Sequence, residues 1–366
     1  MIQFSRILVV NLLLCFFAVS ANGKSKIDRH SLVTRNNPHV TAFDSLASLS
    51  VGNGEFAFTA DITGLQTFPD RYSKGVPLGT QSQWGWHSFP NPEDYKHSET
   101  LHNYNFRGKE EPYSVQFNEA GRKHEAANWF RVNPHRLHLG IVGFEIDELS
   151  KVQQSAQTLN MWEGVLYSAF TYQQERVEVQ TLVDPLQDAV GVHLKGKKLP
   201  SLKFRFPYPT GAHADDACDW NNPAKHSTWL ISSTDQKIVL QRDIDDTRYF
   251  VTIAWEGKAS FIEKEKHYFT LTPLENALSM TVTFTAESSV EVKPFTAMSI
   301  ASKDYWFRFW NDGAAVDFSA CTDPRAKELE RRVILSQYLM AIQCAGSVPP
   351  QETGLTYNSW YGKFHL

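Results

Sequence analysis

The sequence has 366 residues with a formal net charge of −4, and 21% of its residues are charged and 42% hydrophobic. These proportions are typical of a globular protein and exclude general disorder and collagen-like repeats. The weakly acidic balance gives no indication of a nucleic-acid partner. Aromatic residues make up 13%, which supplies flat apolar faces for a core or for contact with sugar rings.

The first 23 residues have the pattern of a secretory signal peptide. A short basic start is followed by an apolar run at 7–19, and small residues offer cleavage after Ala21 or Gly23. The run is too short to span a bilayer, and no later segment has enough uninterrupted apolar residues. We therefore expect an exported chain, periplasmic or extracellular, without a membrane span.

Residues 24–300 have the pattern of strands and turns. Alternating apolar and polar residues, typical of half-buried strands, occur at 177–183, 190–194, 249–255 and 278–284. Turn sequences such as Gly52-Asn53-Gly54 separate such runs. Many short strands without a helical period between them predict antiparallel sheets in a sandwich.

The pattern becomes helical after residue 300. Asp323 and Pro324 are the expected N-cap and first residue of a helix that Gly346 ends, and a shorter helix is expected at 302–310. The last stretch, 351–366, is aromatic and apolar. We expect it to begin a surface that further helices cover.

Three cysteines remain after the signal peptide: Cys218, Cys321 and Cys344. Their wide spacing and the absence of a Cys-x-x-Cys pair give no support to a structural zinc site. One disulfide and buried free thiols are both compatible with this number, and the sequence favours the thiols.

Four stretches carry a resemblance to a known group of enzymes. They are Ser-Val-Gly-Asn-Gly-Glu-Phe at 50–56, Asn-Pro-His-Arg-Leu-His-Leu-Gly at 133–140, Gln-Thr-Leu-Asn-Met-Trp-Glu-Gly at 157–164, and the helix at 323 with Pro-Pro-Gln-Glu at 349–352 and Trp-Tyr-Gly-Lys at 360–363. In these stretches the sequence resembles bacterial six-hairpin glycosidases, including relatives of glycoside hydrolase families 65 and 95.

The resemblance implies a mainly β chain. It implies an antiparallel β-supersandwich at 24–300, a helical linker at 301–322 and the start of an (α/α)6 barrel at 323–366. It also implies that the chain is the N-terminal part of an enzyme that cleaves glycosidic bonds by carboxylate acid/base catalysis, through hydrolysis or phosphorolysis. The catalytic carboxylates of the family lie further along, on barrel loops, so no catalytic residue is assigned. The expected partner is an oligosaccharide or polysaccharide, with no cofactor and no metal.

The strongest candidates for sugar contact lie in the aromatic stretch. Trp360 and Tyr361 offer faces that stack on pyranose rings, and Lys363 and His365 offer hydrogen-bond donors. An aromatic plug between sandwich and barrel is the alternative. Glu352 is the only carboxylate of this stretch, and both a substrate contact and a loop role remain open.

A second group of candidates is Trp84, Trp86 and His87. They lie in a region with little strand pattern, from about 69 to 112, and long loops without secondary structure are often functional. The alternative is a hydrophobic cap on the sandwich.

Other clusters have simpler explanations. His135 and His138 point to opposite faces if they share a strand, which argues against a metal pair. Asp243, Asp245 and Asp246 are expected in a solvated turn, and the acidic stretch at 213–219 in a solvated loop. Two rival functions remain: a non-catalytic carbohydrate-binding module and a structural envelope protein.

Overall fold

The computed structural model describes residues 27–288 and 290–364. The expected signal peptide (1–23) and His365 lie outside the described residues. The helices are α1 (Arg29–Thr34), α2 (Pro69–Tyr72), α3 (Arg122–Val132), α4 (Phe295–Asn311) and α5 (Ala326–Gln343), and short 3-10 turns occur at His97–Thr100, Leu149–Lys151 and Trp360–Gly362.

Strands form most of the regular structure. They are β1 (His39–Val40), β2 (Leu49–Gly52), β3 (Phe56–Ala60), β4 (Thr80–Ser82), β5 (Trp86–His87), β6 (Leu101–Phe106), β7 (Lys109–Ser114), β8 (His135–Arg136), β9 (Ile141–Phe144), β10 (Gln153–Asn160), β11 (Val165–Tyr172), β12 (Glu175–Val183), β13 (Ala189–Gly196), β14 (Leu202–Arg205), β15 (Tyr208–Pro209), β16 (Cys218–Asp219), β17 (His226–Ser233), β18 (Lys237–Ile244), β19 (Thr247–Glu256), β20 (Ala259–Glu265), β21 (Tyr268–Pro273) and β22 (Ala277–Thr285).

The two largest sheets enclose one core. One has nine strands in the order β1-β10-β11-β12-β13-β22-β19-β18-β17, and the other has four in the order β20-β21-β14-β9. Side chains from both, such as Phe170 and Phe144 with ring centres 5.5 Å apart, share the same hydrophobic cluster. The prediction of a mainly β chain with antiparallel sheets is confirmed.

The four strands predicted from alternation are the central strands of the large sheet. In β12 the valines at 177 and 179 are buried while Glu178 between them is exposed. Further along β12 Thr181 is as buried as Val183, so the period of two in the sequence follows the alternation of apolar and polar side chains more closely than it follows exposure.

The Gly-Asn-Gly turn is shaped by a nearby helix end. The side-chain oxygen of Asn53 accepts hydrogen bonds from the backbone N–H groups of Glu55 and Phe56, at 2.9 and 2.8 Å, and closes the β2–β3 hairpin. Gly54 has a φ of +94°, and its N–H donates to the carbonyl of Ile342 in the last turn of α5, at 3.1 Å. A side chain is excluded at this turn because the helix lies against it.

Both predicted helices begin elsewhere than expected. Helix α4 starts at Phe295 rather than 302, because Phe295 and Met298 are buried against strands of the large sheet. Residue 300, the last of the expected sandwich domain, lies within this helix. Helix α5 starts at Ala326, so the prediction of Asp323 as its N-cap was wrong. The Asp323 carboxylate accepts instead from the backbone N–H of Arg325, at 2.9 Å, just before the helix.

The expectation of little regular structure at 69–112 was also wrong. The chain there forms helix α2 and the hairpin β6–β7, and the eleven-residue helix α3 follows at 122–132. Nearly every residue of the hairpin is exposed, so its strands carry no burial alternation that a sequence pattern would reveal.

Buried imidazoles make the fold sensitive to acid. His138 is 6% exposed, its Nε2 donates to the carbonyl of Leu78 and its Nδ1 accepts from the N–H of Gly140, both at 3.2 Å. Burial lowers the pKa of His138 to about 4, and burial likewise lowers the pKa of His226 to about 3 and that of His267 to about 4.

We expect the free energy of unfolding to fall as the pH drops from 7 to 5. Below its ordinary pKa of about 6.5 an unfolded histidine binds a proton that the buried one does not bind, so stability is complete above that pH and is lost toward about pH 4. For His138 alone the loss at pH 5 is about 2 kcal/mol. Urea unfolding at pH 7, 6 and 5 measures it, and a constant free energy of unfolding over that range would contradict the burial of these side chains.

Candidate functional site

The C-terminal stretch packs onto the sandwich. Gln351 and Leu355 are buried at 2% and 1% exposure. The amide nitrogen of Gln351 donates to the carbonyl of Tyr357 at 3.0 Å, and the hydroxyl of Thr353 donates to the same carbonyl at 2.6 Å. These bonds fold residues 351–359 into a compact turn, which positions the aromatic residues that follow.

Trp360 and Tyr361 occupy a strained turn held against the acidic loop at 213–219. Both have positive φ angles, 48° and 62°, a region that non-glycine residues rarely adopt. The Tyr361 N–H donates to the carbonyl of His213 at 3.1 Å, and the His213 ring lies 4.6 Å from the Trp360 ring, edge to face. The acidic loop therefore supports the aromatic turn rather than extending into solvent.

Lys363 caps a helix. Its ammonium group donates to the carbonyl of Arg131 at 2.6 Å, to that of Asn133 at 3.2 Å and to that of Phe130 at 3.4 Å, all at the C-terminal end of α3. A cation at this position satisfies carbonyls that have no partner within the helix and interacts favourably with the helix dipole. Burial lowers the pKa of Lys363.

A cleft of about 450 Å³ lies between the aromatic turn, helix α3 and the base of the β6–β7 hairpin. Its lining residues are His97, Thr100, Ser114, Val115, Gln116, Ala127, Phe130, Arg131, Trp360, Tyr361, Lys363 and Phe364. Half-buried aromatic rings therefore stand beside hydrogen-bonding side chains in one concave surface.

The polar wall of the cleft is pre-arranged. The hydroxyl of Ser114 lies 2.9 Å from Nε2 of His97 and 2.7 Å from the hydroxyl of Thr100. The His97 ring also meets the edge of Phe130, with centres 5.7 Å apart. Hydroxyl and imidazole groups both donate and accept hydrogen bonds, as the hydroxyl groups of a sugar require.

Trp84 lies in a different place, beside a carboxylate. Its indole N–H donates to Asp188 at 2.7 Å, the Ser82 hydroxyl donates to the same oxygen, and its ring packs near Tyr249 with centres 6.1 Å apart. Burial raises the pKa of Asp188 to about 6. Asp188 was not foreseen, because the sequence gives it no partner within its own strand or turn.

Trp86 and His87 form strand β5, and their side chains contact other residues of the chain rather than the cleft. The guanidinium of Arg136 lies 4.0 Å from the centre of the Trp86 ring. The His87 side chain is fully buried, with Nε2 2.9 Å from Asp245 and Nδ1 3.0 Å from Nε2 of His135. Burial lowers the pKa of His87. Neither residue lines the cleft beside Trp360.

Asp245 is an exposed turn residue, as the sequence predicts, and its carboxylate also has buried partners. Its carboxylate accepts from the hydroxyl of Tyr208 at 2.8 Å, in addition to its contact with His87. The predicted turn position is right, since Asp245 and Asp246 join β18 to β19. The Asp245 carboxylate, 20% exposed, thus supplies an acceptor to two buried polar groups while the turn itself faces solvent.

The remaining candidates are dispersed. Glu352 is exposed in the turn that precedes Gly354. His135 and His138 contact different partners, His87 and Leu78, and the described residues contain no group of three or more His, Cys, Asp or Glu side chains arranged for a metal ion.

Cys321 is exposed, so the expectation that all three thiols are buried was wrong. Among the described helices, none combines the length and hydrophobicity that a bilayer crossing requires.

The structure thus brings together Trp360, Tyr361 and Lys363 and adds residues that the sequence did not indicate, chiefly Phe130, Arg131 and Gln116. Phe130 and Arg131 lie in the tract Arg122–Val132, which forms helix α3, and a helical pattern there is the sequence signal that could have indicated them. Its helical period is weak because only Ala126 and Ala127 are buried, so no apolar stripe marks the helix.

No family model and no curated protein matches the sequence. Among solved structures, the fold is similar to a putative kojibiose phosphorylase from the human microbiome, with a TM-score of 0.49 and 11% identity over 83% of this chain and 41% of that one. It is also similar to a family GH92 α-mannosidase of Bacteroides thetaiotaomicron, with a TM-score of 0.31 and 9% identity over 85% of this chain and 41% of that one.

The chain therefore spans about 41% of the length of either neighbour.

Proposed function

We propose that this chain is the β-sandwich part of an exported carbohydrate-active enzyme and that the cleft beside Trp360 contacts the sugar chain. The observation that carries the proposal is the meeting of the Trp360–Lys363 turn, helix α3 and the hairpin base in one cleft. The turn belongs to one of the stretches in which the sequence resembles six-hairpin glycosidases.

The chemistry of the cleft supports a sugar as its ligand. Its volume of about 450 Å³ falls within the range of small-molecule pockets, about 300–1,000 Å³. Aromatic rings stack on the C–H faces of pyranoses, while His97, Ser114 and Gln116 offer groups that pair with sugar hydroxyls.

In this proposal the chain binds and the chemistry belongs to other residues of the enzyme. Glycoside cleavage needs carboxyl groups on both sides of the scissile bond, and the resemblance implies that they lie on barrel loops beyond the stretches matched here. Export also belongs to the proposal, and a mature protein that begins after Ala21 or Gly23 is the result expected from N-terminal sequencing.

Removing the Trp360 ring should weaken sugar binding about five- to tenfold, because loss of one stacked aromatic removes about 1–1.5 kcal/mol. Calorimetric titration of the protein with a panel of gluco- and manno-oligosaccharides compares the wild type with Trp360→Ala and Trp360→Phe. The phenylalanine variant should retain part of the affinity, since it keeps an aromatic face.

Phe307→Ala is the matched control, because Phe307 is 56% exposed on helix α4, away from the cleft. It should bind as the wild type does. Equal affinity of Trp360→Ala and wild type, or no heat with any oligosaccharide in the panel, would contradict the proposal. Thermal melting of each variant separates lost binding from lost folding.

A further inference from the structure

The two large sheets present four edges to their surroundings. An edge strand offers unpaired N–H and C=O groups, and proteins that stay monomeric protect such edges by short length, charge, or cover. The edges here are β1 and β17 in the nine-stranded sheet and β9 and β20 in the four-stranded sheet.

Three of these edges are protected. Strand β1 has only two residues. Strand β9 is covered, because the Gln66 N–H donates to the carbonyl of Val142 at 2.8 Å and the Gln66 side chain accepts from the Val142 N–H at 3.1 Å. Strand β20 ends in the exposed, charged tract 263–265, Glu-Lys-Glu.

From His226 to Leu230 strand β17 is neither short, charged nor covered, and its register shift, a further device that protects edges, comes only after Leu230. Its eight residues, His-Ser-Thr-Trp-Leu-Ile-Ser-Ser, include no acidic residue, lysine or arginine. The side chains of Trp229, Leu230 and Ile231 are 54%, 57% and 52% exposed. The strand pairs regularly with β18 from His226 to Leu230, and the register shifts only between Leu230 and Ser232.

A groove of mixed character runs beside this edge. A space of about 740 Å³ lies between β17 and β20, and its walls include the apolar residues Leu230, Trp255 and Phe261 and the charged residues Asp235 and Lys258. The groove lies on the same side as the unprotected strand edge.

We propose that β17 pairs with β17 of a second copy of this chain, antiparallel about a two-fold axis. In such a pair a residue on the axis faces its own copy and the others face different residues of the same short segment, so a charged side chain at the centre would oppose its own kind. The absence of fixed charge from β17 removes that repulsion, and the exposed apolar residues at its centre would be buried across the axis. Strand β20, by contrast, carries the charged tract 263–265, which would place like charges together in a pair centred on Lys264.

Sedimentation of the purified protein between about 1 and about 100 µM tests the proposal, because dimerisation depends on protein concentration. The wild type should reach the dimer mass, and Leu230→Lys should remain monomeric over the same range. Leu186→Lys is the matched control: Leu186 is 84% exposed in the β12–β13 connection and should leave the dimer unchanged.

A wild type that stays monomeric throughout, or a Leu230→Lys variant that dimerises as the wild type does, would overturn the proposal. If circular dichroism shows that Leu230→Lys is unfolded, Ile231→Glu tests the same edge at an exposed position. Sugar binding at the Trp360 cleft is measured separately, so neither result decides the other.

Discussion

Replacing Glu330 with alanine should lower the free energy of unfolding by about 1–3 kcal/mol, because it removes a buried carboxylate that accepts hydrogen bonds from the Asn36 amide and the Phe318 N–H. Glu330 is 3% exposed in helix α5. Its carboxylate accepts from Nε and a terminal nitrogen of Arg35 at 2.9 and 2.8 Å, from the Asn36 amide at 2.9 Å and from the Phe318 N–H at 2.7 Å. The Arg35 guanidinium holds the pKa of Glu330 below its usual range.

Glu328→Ala is the matched control on the same helix. Glu328 is exposed and pairs only locally with Arg331 and Arg332, at 2.8 Å each. Its loss should leave urea unfolding nearly unchanged. Equal effects of the two substitutions would mean that α5 is not anchored to the N-terminal segment through Glu330.

Gly164→Ala should destabilise the protein by several kcal/mol, the sum of two effects. Gly164 has a φ of +67°, which costs a non-glycine residue about 1–2 kcal/mol. An added Cβ would also lie 1.9 Å from Nε1 of Trp306, a buried residue of helix α4, and such overpacking costs about 1–3 kcal/mol more.

The difference between Gly164→Ala and Gly313→Ala isolates the second effect, the overpacking against Trp306. Gly313 has nearly the same backbone angle, φ +65°, and an added Cβ there would meet nothing within 4 Å. Urea unfolding should therefore show only the backbone cost for Gly313→Ala. If the two variants lose equal stability, Trp306 does not pack on Gly164 as described.

The contact between Gly164 and Trp306 lies in the stretch 157–164, one of those that carry the resemblance to six-hairpin glycosidases. The segment before Gly164 receives helix α4: the Trp310 indole donates to the carbonyl of Met161 and the Ser302 hydroxyl to that of Glu163, both at 2.7 Å. The Gly-Asn-Gly turn receives α5 in a similar way, through the bond from Gly54 to Ile342. Both stretches therefore serve as docking points for helices, a role that the sequence alone did not disclose.

The sequence predicts elements where apolar and polar side chains alternate regularly. Strands at the centre of the large sheet, such as β12 and β22, were predicted with nearly their true limits because of this alternation, although polar members such as Thr281 and Thr283 are buried too. The sites of the turns at Gly52–Gly54 and Asp245–Asp246 also followed from residue type.

Elements that bury little were missed. Helix α3 hides only two alanines, and the β6–β7 hairpin stands almost wholly in solvent, so neither leaves a periodic pattern. The contact of Asp245 with His87 and the contact of Lys363 with the end of α3 depend on residues distant in sequence. The cleft is assembled from these missed elements, and for that reason only its aromatic wall was foreseen.

Amide hydrogen exchange with and without the best-binding oligosaccharide tests the central claim most directly, because it locates the contact without a substitution. The account predicts slower exchange in three segments that meet only in the folded cleft, 97–101, 114–117 and 360–364. Protection confined to other parts of the chain, such as Trp84 with Asp188 or the β17 edge, would contradict it.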